Sequence, residues 1–481
     1  MGSASINPPF PPPLNTPPCP KNPVLYDPNY RNFDPRVSFA WAPSVLHGKT
    51  VIRSRFGIYH GAAQNDDLNA GLESDTFTGS IQNVQLSPAL QQTVPDTTGF
   101  SNAANQPRAL QRHGRRDLYT ETWGLTVDHE LPANFLIAAS YLGSHGVRLF
   151  ARGAVNLCIT TPDVNGNCTR GLDVYYPTVG DPFGSVDLKT DSGNSSYHAL
   201  ALSLERRFAN GLLFQTRYTW SHSINDGSVG GGESNGPENL NCPRCDKGPS
   251  VFDVRHNFTA NAVYELPFGT GKRFLNQAGI LDKIMGGWSL STIGLWHTGH
   301  PLTVVMNIPP SQLPDGNDQT TQRPDIIPGV PLTLPGGGHN GAPLINAAAF
   351  QAPPLNADPN AFPGSILRFG NASNGIVRAL PSWQVDLALM KETRITERFA
   401  LEFGIQAFNI FNHVQLGDPH DLTLNYNYDP TQANPQSLTP DPLFGVITTT
   451  NNFNNNNDNA ASSNTGTGLP RQLQFMLRVR F

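Results

Sequence analysis

The last ten residues sort by parity into two chemistries. Leu473, Phe475, Leu477, Val479 and Phe481 fall on one side, and Gln472, Gln474, Met476, Arg478 and Arg480 on the other. Successive side chains of a strand point to opposite faces, so period two is what a strand between an apolar and a wet environment requires. Two arginines are costly against hydrocarbon and harmless toward water, which fixes which face is which.

The same period recurs along the chain. Trp123, Leu125 and Val127 alternate with Gly124, Thr126 and Asp128, and Leu200, Leu202 and Leu204 with Ala201, Ser203 and Glu205. Phe258, Ala260, Ala262 and Tyr264 oppose Asn257, Thr259 and Asn261; Trp383, Val385, Leu387 and Leu389 oppose Gln384, Asp386 and Ala388. From Phe399 to Ile405 the pattern repeats with Glu402 and Gln406 on the wet side, then shifts phase near Ala407 and Phe408, as a β-bulge would make it do. With weaker strands over Arg36–Trp41, Val51–His60 and Trp288–His297, the count is about eleven.

Connection lengths alternate too. Pro132-Ala133-Asn134, Ala209-Asn210-Gly211 and Ile395-Thr396-Glu397 are tight turns between the strands Tyr119–Leu131 and Phe135–Gly143, Tyr197–Phe208 and Leu212–Ser221, and Trp383–Arg394 and Arg398–Phe411. Between these hairpins run long polar connections rich in Gly, Pro and Asn: Gly61–Leu118, Ser144–Ser196, His222–Asp253, Gly299–Ser382 and Asn412–Pro470. The link Pro267–Gly287 is intermediate and predicts a short helix over Ile280–Met285. Turns on one side and loops on the other are the distribution of an antiparallel transmembrane outer-membrane β-barrel, and that all-β class is the expected fold.

Composition agrees. Charged residues make up 14% against the roughly 25% of soluble domains, and 38% hydrophobic content is low for 481 residues that would otherwise need several dry cores. Gly 45 and Pro 43 suit strands and loops rather than long helices. A net charge of −5 gives no basic excess for nucleic acid. No uninterrupted apolar run reaches about 18 residues, which excludes a transmembrane helix but not a barrel. Residues 1–35 read as a Pro-rich loop segment, with nothing of a signal peptide in Met1-Gly2-Ser3 and the prolines that follow. Counting back from a periplasmic Phe481 puts the residues before Arg36 outside the cell. A complete single-chain barrel has an even strand number, so the expectation is a fragment or a truncated gene product lacking at least one strand.

Candidate chemistry is sparse. Cys242-Pro243-Arg244-Cys245 has CxxC spacing but no second pair and no helix pattern, so two loop disulfides are expected, Cys158 with Cys168 and Cys242 with Cys245, leaving Cys19 over. Asp66, Asp67, Glu233 and Glu238 read as solvated loop charge, and Gly230-Gly231-Gly232 and Gly336-Gly337-Gly338 as loop spacers. Asp253-Val254-Arg255-His256 opens a strand and Asn409, Asn412 and His413 close one, so backbone capping accounts for them and neither His256 nor His413 is read as a ligand. Tyr218, Trp220, Trp288 and Trp296 fit aromatic girdles. A catalytic carboxylate pair and a GxSxG elbow are both missing from the sequence. No catalytic, cofactor or metal residue is assigned, no cofactor is expected, an enzyme is not indicated, and substrate contacts stay unassigned.

Particular motifs carry a family likeness. Phe252-Asp253-Val254-Arg255-His256-Asn257-Phe258, then Tyr264-Glu265-Leu266-Pro267-Phe268-Gly269 and Gly271-Lys272-Arg273-Phe274, resemble the barrel of Oar-like TonB-dependent transporters of acidobacterial type. So do Phe369-Gly370-Asn371-Ala372, Trp383-Gln384-Val385-Asp386-Leu387, Lys391, Thr396-Glu397-Arg398 and Phe408-Asn409-Ile410-Phe411-Asn412-His413. The resemblance covers Asp34 to Phe481, so residues 36–481 are taken as the C-terminal portion of such a barrel. It implies energy-coupled import of a bulky substrate through about 22 strands, of which this chain supplies about half. It also implies outer-membrane lipid as surroundings, recognition by the barrel assembly machinery through the strand ending at Phe481, and contact with TonB through an N-terminal region not seen here. Two rivals use other readings of the same residues: a surface-exposed structural or adhesive outer-membrane protein, and a secreted soluble β-rich enzyme.

Overall fold

The computed structural model describes residues 29–61, 108–110, 116–171, 174, 186–226, 238–239, 242–277, 279–316, 322–396, 398–450 and 470–481. Its main sheet runs through eleven strands in strict chain order, each antiparallel to the one before. They are β1 Arg36–Trp41, β2 Thr50–His60, β3 Tyr119–Leu131, β4 Phe135–Val155, β5 Val186–Ala209, β6 Leu212–Asn225, β7 His256–Glu265, β8 Trp288–His297, β9 Ser382–Arg394, β10 Ala400–Phe408 and β11 Gln472–Arg480. Two short strands, 108–110 and 248–249, pair off this path, and a helix, α1, spans Ile280–Met285.

The register carries the alternation coherently across the sheet. Trp41, Ile52, Val127, Ala139, Leu202, Tyr218, Phe258, Trp296 and Trp383 are successive partners on nine neighbouring strands, so they share one face. One residue along, Ala40, Arg53, Thr126, Ser140, Ala201, Thr219, Asn257, His297 and Ser382 form the matching row on the other face. A slip of one residue in any strand would exchange these chemistries. The apolar face has polar exceptions near the turn end of the sheet. Arg206 reaches the Ala133 carbonyl and lies over Phe135, while Lys391 reaches the Gly286 carbonyl and lies over Trp288. Long cations at such a boundary keep their heads in polar surroundings and their stems on apolar surface. Trp288 and Trp296 mark the two ends of β8, about 26 Å apart along the strand.

Turn chemistry matches the sequence. Asn210 and Gly211 both take positive φ, 52° and 79°, as a two-residue hairpin turn matching the strand twist requires. The Pro132–Asn134 turn likewise uses positive φ at Ala133 and Asn134. Two expectations change. The hairpin of β4 and β5 runs far past the predicted ends at Gly143 and Tyr197, to Val155 and back from Val186, with register shifts around Leu149. Beyond the hydrocarbon both strand faces are wet, so nothing imposes period two on the sequence there. No bulge interrupts Ala407 and Phe408, which pair in unbroken register with Leu473 and Gln472; the strand simply ends as Asn409 turns at φ 48°.

The larger correction concerns the loops. Residues 299–381 and 409–450 were expected to be polar connections, yet they hold nearly all the buried apolar side chains. Among the described residues only Ala199 and Ala407 of the eleven strands are buried and apolar. Leu302, Val304, Leu344, Ile345, Phe350, Val377, Leu422, Leu424 and Phe444 form one cluster, and Met306, Ile308, Leu313, Ile366 and Tyr426 a second. A parallel pairing of Val305–Asn307 with Thr423–Asn425 ties the two connections together, and Tyr426 donates its hydroxyl to the Gly364 carbonyl at 2.7 Å. This loop body has a dry core of its own; the sheet does not.

Leu202 sits mid-strand on the apolar face and Ser203 beside it on the wet face. Leu202→Arg is expected to cost about 2–4 kcal/mol near the middle of a bilayer, and Ser203→Arg little. Folded yield in lipid vesicles, read by protease protection, checks this; equal yields would refute the facing.

Candidate ligand site on the wet wall

The connection from β6 to β7 folds back onto the wet face, and Asp253 fastens it. Its carboxylate is almost wholly buried, accepts the Ser223 N–H at 2.7 Å, pairs with Arg378, and lies 3.3 Å from His222 Nδ1 and 3.8 Å from Arg255 Nε. Burial would push this carboxyl up, but the Arg378 hydrogen bond, the Ser223 N–H and His222 together hold it below its ordinary value. Arg378 belongs to the loop body and also donates to the Asp253 and Gly299 carbonyls. Asp253 thus joins three segments: the wall, the β6–β7 connection and the loop body.

A second anchor lies farther out. Arg323 is 3% exposed, with Nη2 2.6 Å from Glu238 Oε2 and Nη1 2.5 Å from Asp246 Oδ1. Its Nε donates to the Ala372 carbonyl at 2.7 Å, and its backbone N–H to Glu238 Oε1 at 2.8 Å. One guanidinium here faces two buried carboxylates and neutralises the charge of one. The Glu238 carboxyl is accordingly pushed up to about 7, chiefly by burial and also by Asp246, against the pull of Arg323. The reading of Glu238 as solvated loop charge is therefore wrong: it is 3% exposed and ion-paired. Its partner lies 85 residues away, beyond the reach of any local pattern.

Between the Asp253 anchor and the strands lies a cavity of about 380 Å³, lined by Tyr197 of β5, Arg217, Thr219, Ser221 and Ser223 of β6, Asn257 and Thr259 of β7, and the chain turn Phe252–Val254. The strand residues come from the wet face, since Arg217 pairs with Ser203 and Thr259, and Thr219 with Ala201 and Asn257. Ser221 donates to the Val254 carbonyl and Ser223 pairs with Ser250, holding the rim. Phe252 is 57% exposed at the edge. Arg217 faces the cavity without a hydrogen bond or ion pair among the described residues.

Other sequence expectations fall as follows. Both loop disulfides are present, Cys158–Cys168 and Cys242–Cys245. The second sits on the short turn Pro243–Asp246 that presents Asp246 to Arg323. Asn409 caps its turn through both side-chain atoms, to the His413 N–H and carbonyl, and Asn412 accepts from the Arg471 N–H. His413 stacks on Trp383 with ring centroids 4.2 Å apart, and His256 meets the Tyr218 hydroxyl at 2.7 Å. Gly336 and Gly338 take positive φ in a tight turn against Leu344 and Leu380. Cys19, Asp66, Asp67, Glu233 and Gly230–Gly232 lie outside the described residues.

A family profile described as an outer membrane beta barrel domain matches residues 7–474. The chain belongs to that family. Among curated proteins nothing matches it. Similar solved structures include the outer membrane transporter YddB from Escherichia coli, at 9% identity and TM-score 0.43, covering 93% of this chain and 40% of that one. The ferric enterobactin receptor PfeA from Pseudomonas aeruginosa gives 10% identity and TM-score 0.40 with the same two coverages. The iron transporter FrpB from Neisseria meningitidis gives 11% identity and TM-score 0.36, covering 79% of this chain and 35% of that one. The chain thus spans well under half the length of these proteins. As an outer-membrane β-barrel, its apolar face meets lipid, and its wet face, with Asp253 and the cavity, meets water.

Glu238 titrates in a window that reports on the second anchor. Its folded value, about 7, lies above the ordinary 4.5, so the stability it contributes is full below about pH 4.5 and is lost as the pH rises through 7. The change is at most on the order of 3 kcal/mol. The protection factors of the Met306 and Leu424 amides in the full barrel, with the base-catalysed intrinsic rate divided out, are expected to be higher at pH 5.5 than at pH 8, with the difference largely abolished by Glu238→Gln. A pH difference of the same size in the variant would show that another group is responsible.

Proposed function

We propose that this chain is the barrel portion of an Oar-like TonB-dependent transporter or receptor in a Gram-negative outer membrane, where it binds and admits a bulky substrate. The observation that carries the reading is the pairing of a continuous apolar face with a continuous wet face whose loop end is covered by a folded body and holds a polar cavity. A purely adhesive loop body would have no use for a cavity opening on the wet wall. A secreted soluble enzyme would not leave so large an apolar face bare.

Sheet closure supports the larger barrel. Ten antiparallel steps separate β1 from β11, so these two edge strands run in the same direction. Direct pairing of one with the other would be parallel, whereas an odd number of intervening strands restores antiparallel order throughout. We assign those strands to a part of the barrel outside the described residues. On this reading the barrel assembly machinery recognises β11 with Phe481 at its end, and TonB acts through an N-terminal plug region. Residues 36–481 are then one barrel domain preceded by a Pro-rich loop.

Fractionation of the native host, with detection of the peptide containing Phe475, tests the reading. The peptide is expected in the outer membrane, in a heat-modifiable species heavier than 52.2 kDa. A soluble 52.2 kDa species would refute it.

A further inference from the structure

We propose that the cavity on the wet wall is a binding subsite for an acidic sugar, with Arg217 taking the carboxylate and Phe252 the ring face. The inference rests on the receptor reading above and names the substrate class for that site. Three observations carry it.

The first is charge. The only carboxylate among the described residues lining the cavity, Asp253, is already committed to Arg378, the Ser223 N–H and His222, with Arg255 close by. Arg217, in contrast, has no counter-ion among the described residues, and its strand neighbours on the wet face are Ser203 and Thr259. A planar guanidinium with its donors unused is suited to a carboxylate, which it can bind through two parallel hydrogen bonds. The cavity therefore favours an anion over a cation.

The second is the density of groups that both donate and accept. Tyr197, Thr219 and Thr259 present hydroxyls and Asn257 an amide, none of them bonded to another described residue. Such groups match the hydroxyls of a sugar, which also donate and accept; a simple anion would use only the donors.

The third is shape. Phe252 lies at the rim with more than half of its surface bare, beside a polar wall and away from the apolar face. An aromatic ring there offers the apolar flank of a sugar ring a surface to cover, while its polar edge meets the hydroxyl groups. About 380 Å³ is at the lower end of ligand cavities and suits a small saccharide unit.

The test uses the native barrel extracted from the host outer membrane into detergent micelles, with three probes: glucuronate, glucose and acetate. Titration calorimetry is expected to show glucuronate binding at least ten-fold more tightly than glucose or acetate. Arg217→Gln should bring glucuronate to the level of glucose, and Phe252→Ala should weaken glucuronate and glucose alike by several-fold. Glucuronate binding no tighter than acetate would make this a plain anion site, and binding no tighter than glucose, or unchanged in Arg217→Gln, would remove Arg217 from recognition; any of these overturns the proposal. Heat-modifiability of the same samples reports barrel formation separately, so loss of the barrel reading and loss of the sugar site are told apart.

Discussion

Hydrocarbon offers no partner to a backbone N–H or carbonyl, and that constraint underlies the rest of this structure. A chain that enters lipid as strands must pair every strand with its neighbours and turn one entire face apolar. The nine-residue row from Trp41 to Trp383 is the product of that demand, written into strands hundreds of residues apart. All six tryptophans of the chain, Trp41, Trp123, Trp220, Trp288, Trp296 and Trp383, lie on this one face. The sheet has no dry core because lipid does for it what a core does for a soluble domain.

The loops, which meet water, have to solve the ordinary problem and bury their own apolar residues. Their clusters pack residues from two distant connections, and the buried Arg323 and half-buried Arg378 join these to the β6–β7 segment. A buried ion pair repays its desolvation only with good geometry and saturated hydrogen bonding; Arg323 pairs with Glu238 and donates to the Ala372 carbonyl, while Asp246 Oδ1 faces it as an ion pair without a hydrogen bond. The two anchors respond to acid oppositely. Asp253, held low by Arg378, keeps its charge through the neutral range, whereas Glu238, raised by burial beside Asp246, does not. The fastening at the wall is thus permanent and the outer one is adjustable by pH. The cavity sits beside the permanent one.

What was legible in the sequence follows the same physics. Strand positions and facing could be read because lipid enforces period two on residues such as Leu200, Leu202 and Leu204, and α1 because its link was too long for a turn. The outer stretch of β4 and β5 could not, since no lipid constrains it. The loop body does leave a trace in the sequence: Leu302, Val304, Met306 and Ile308 alternate, as do Leu422, Leu424, Tyr426 and Tyr428. Prolines at 301, 309 and 310 and a parallel pairing across 118 residues disguise these strands as loop. Asn257 and Thr259 were visible as wet-facing residues, and Arg217 and Thr219 lay within the strand read over Leu212–Ser221. Their convergence with Phe252 and Asp253 depends on how the β6–β7 segment folds back, which local sequence does not encode.

The facing of the sheet is the claim on which everything else stands, and the tryptophans report it directly. Fluorescence of the folded chain in vesicles of brominated lipid should be strongly quenched, and acrylamide in the water should reach it poorly. Free access of acrylamide with no quenching by brominated lipid would put all six tryptophans in water and contradict the account.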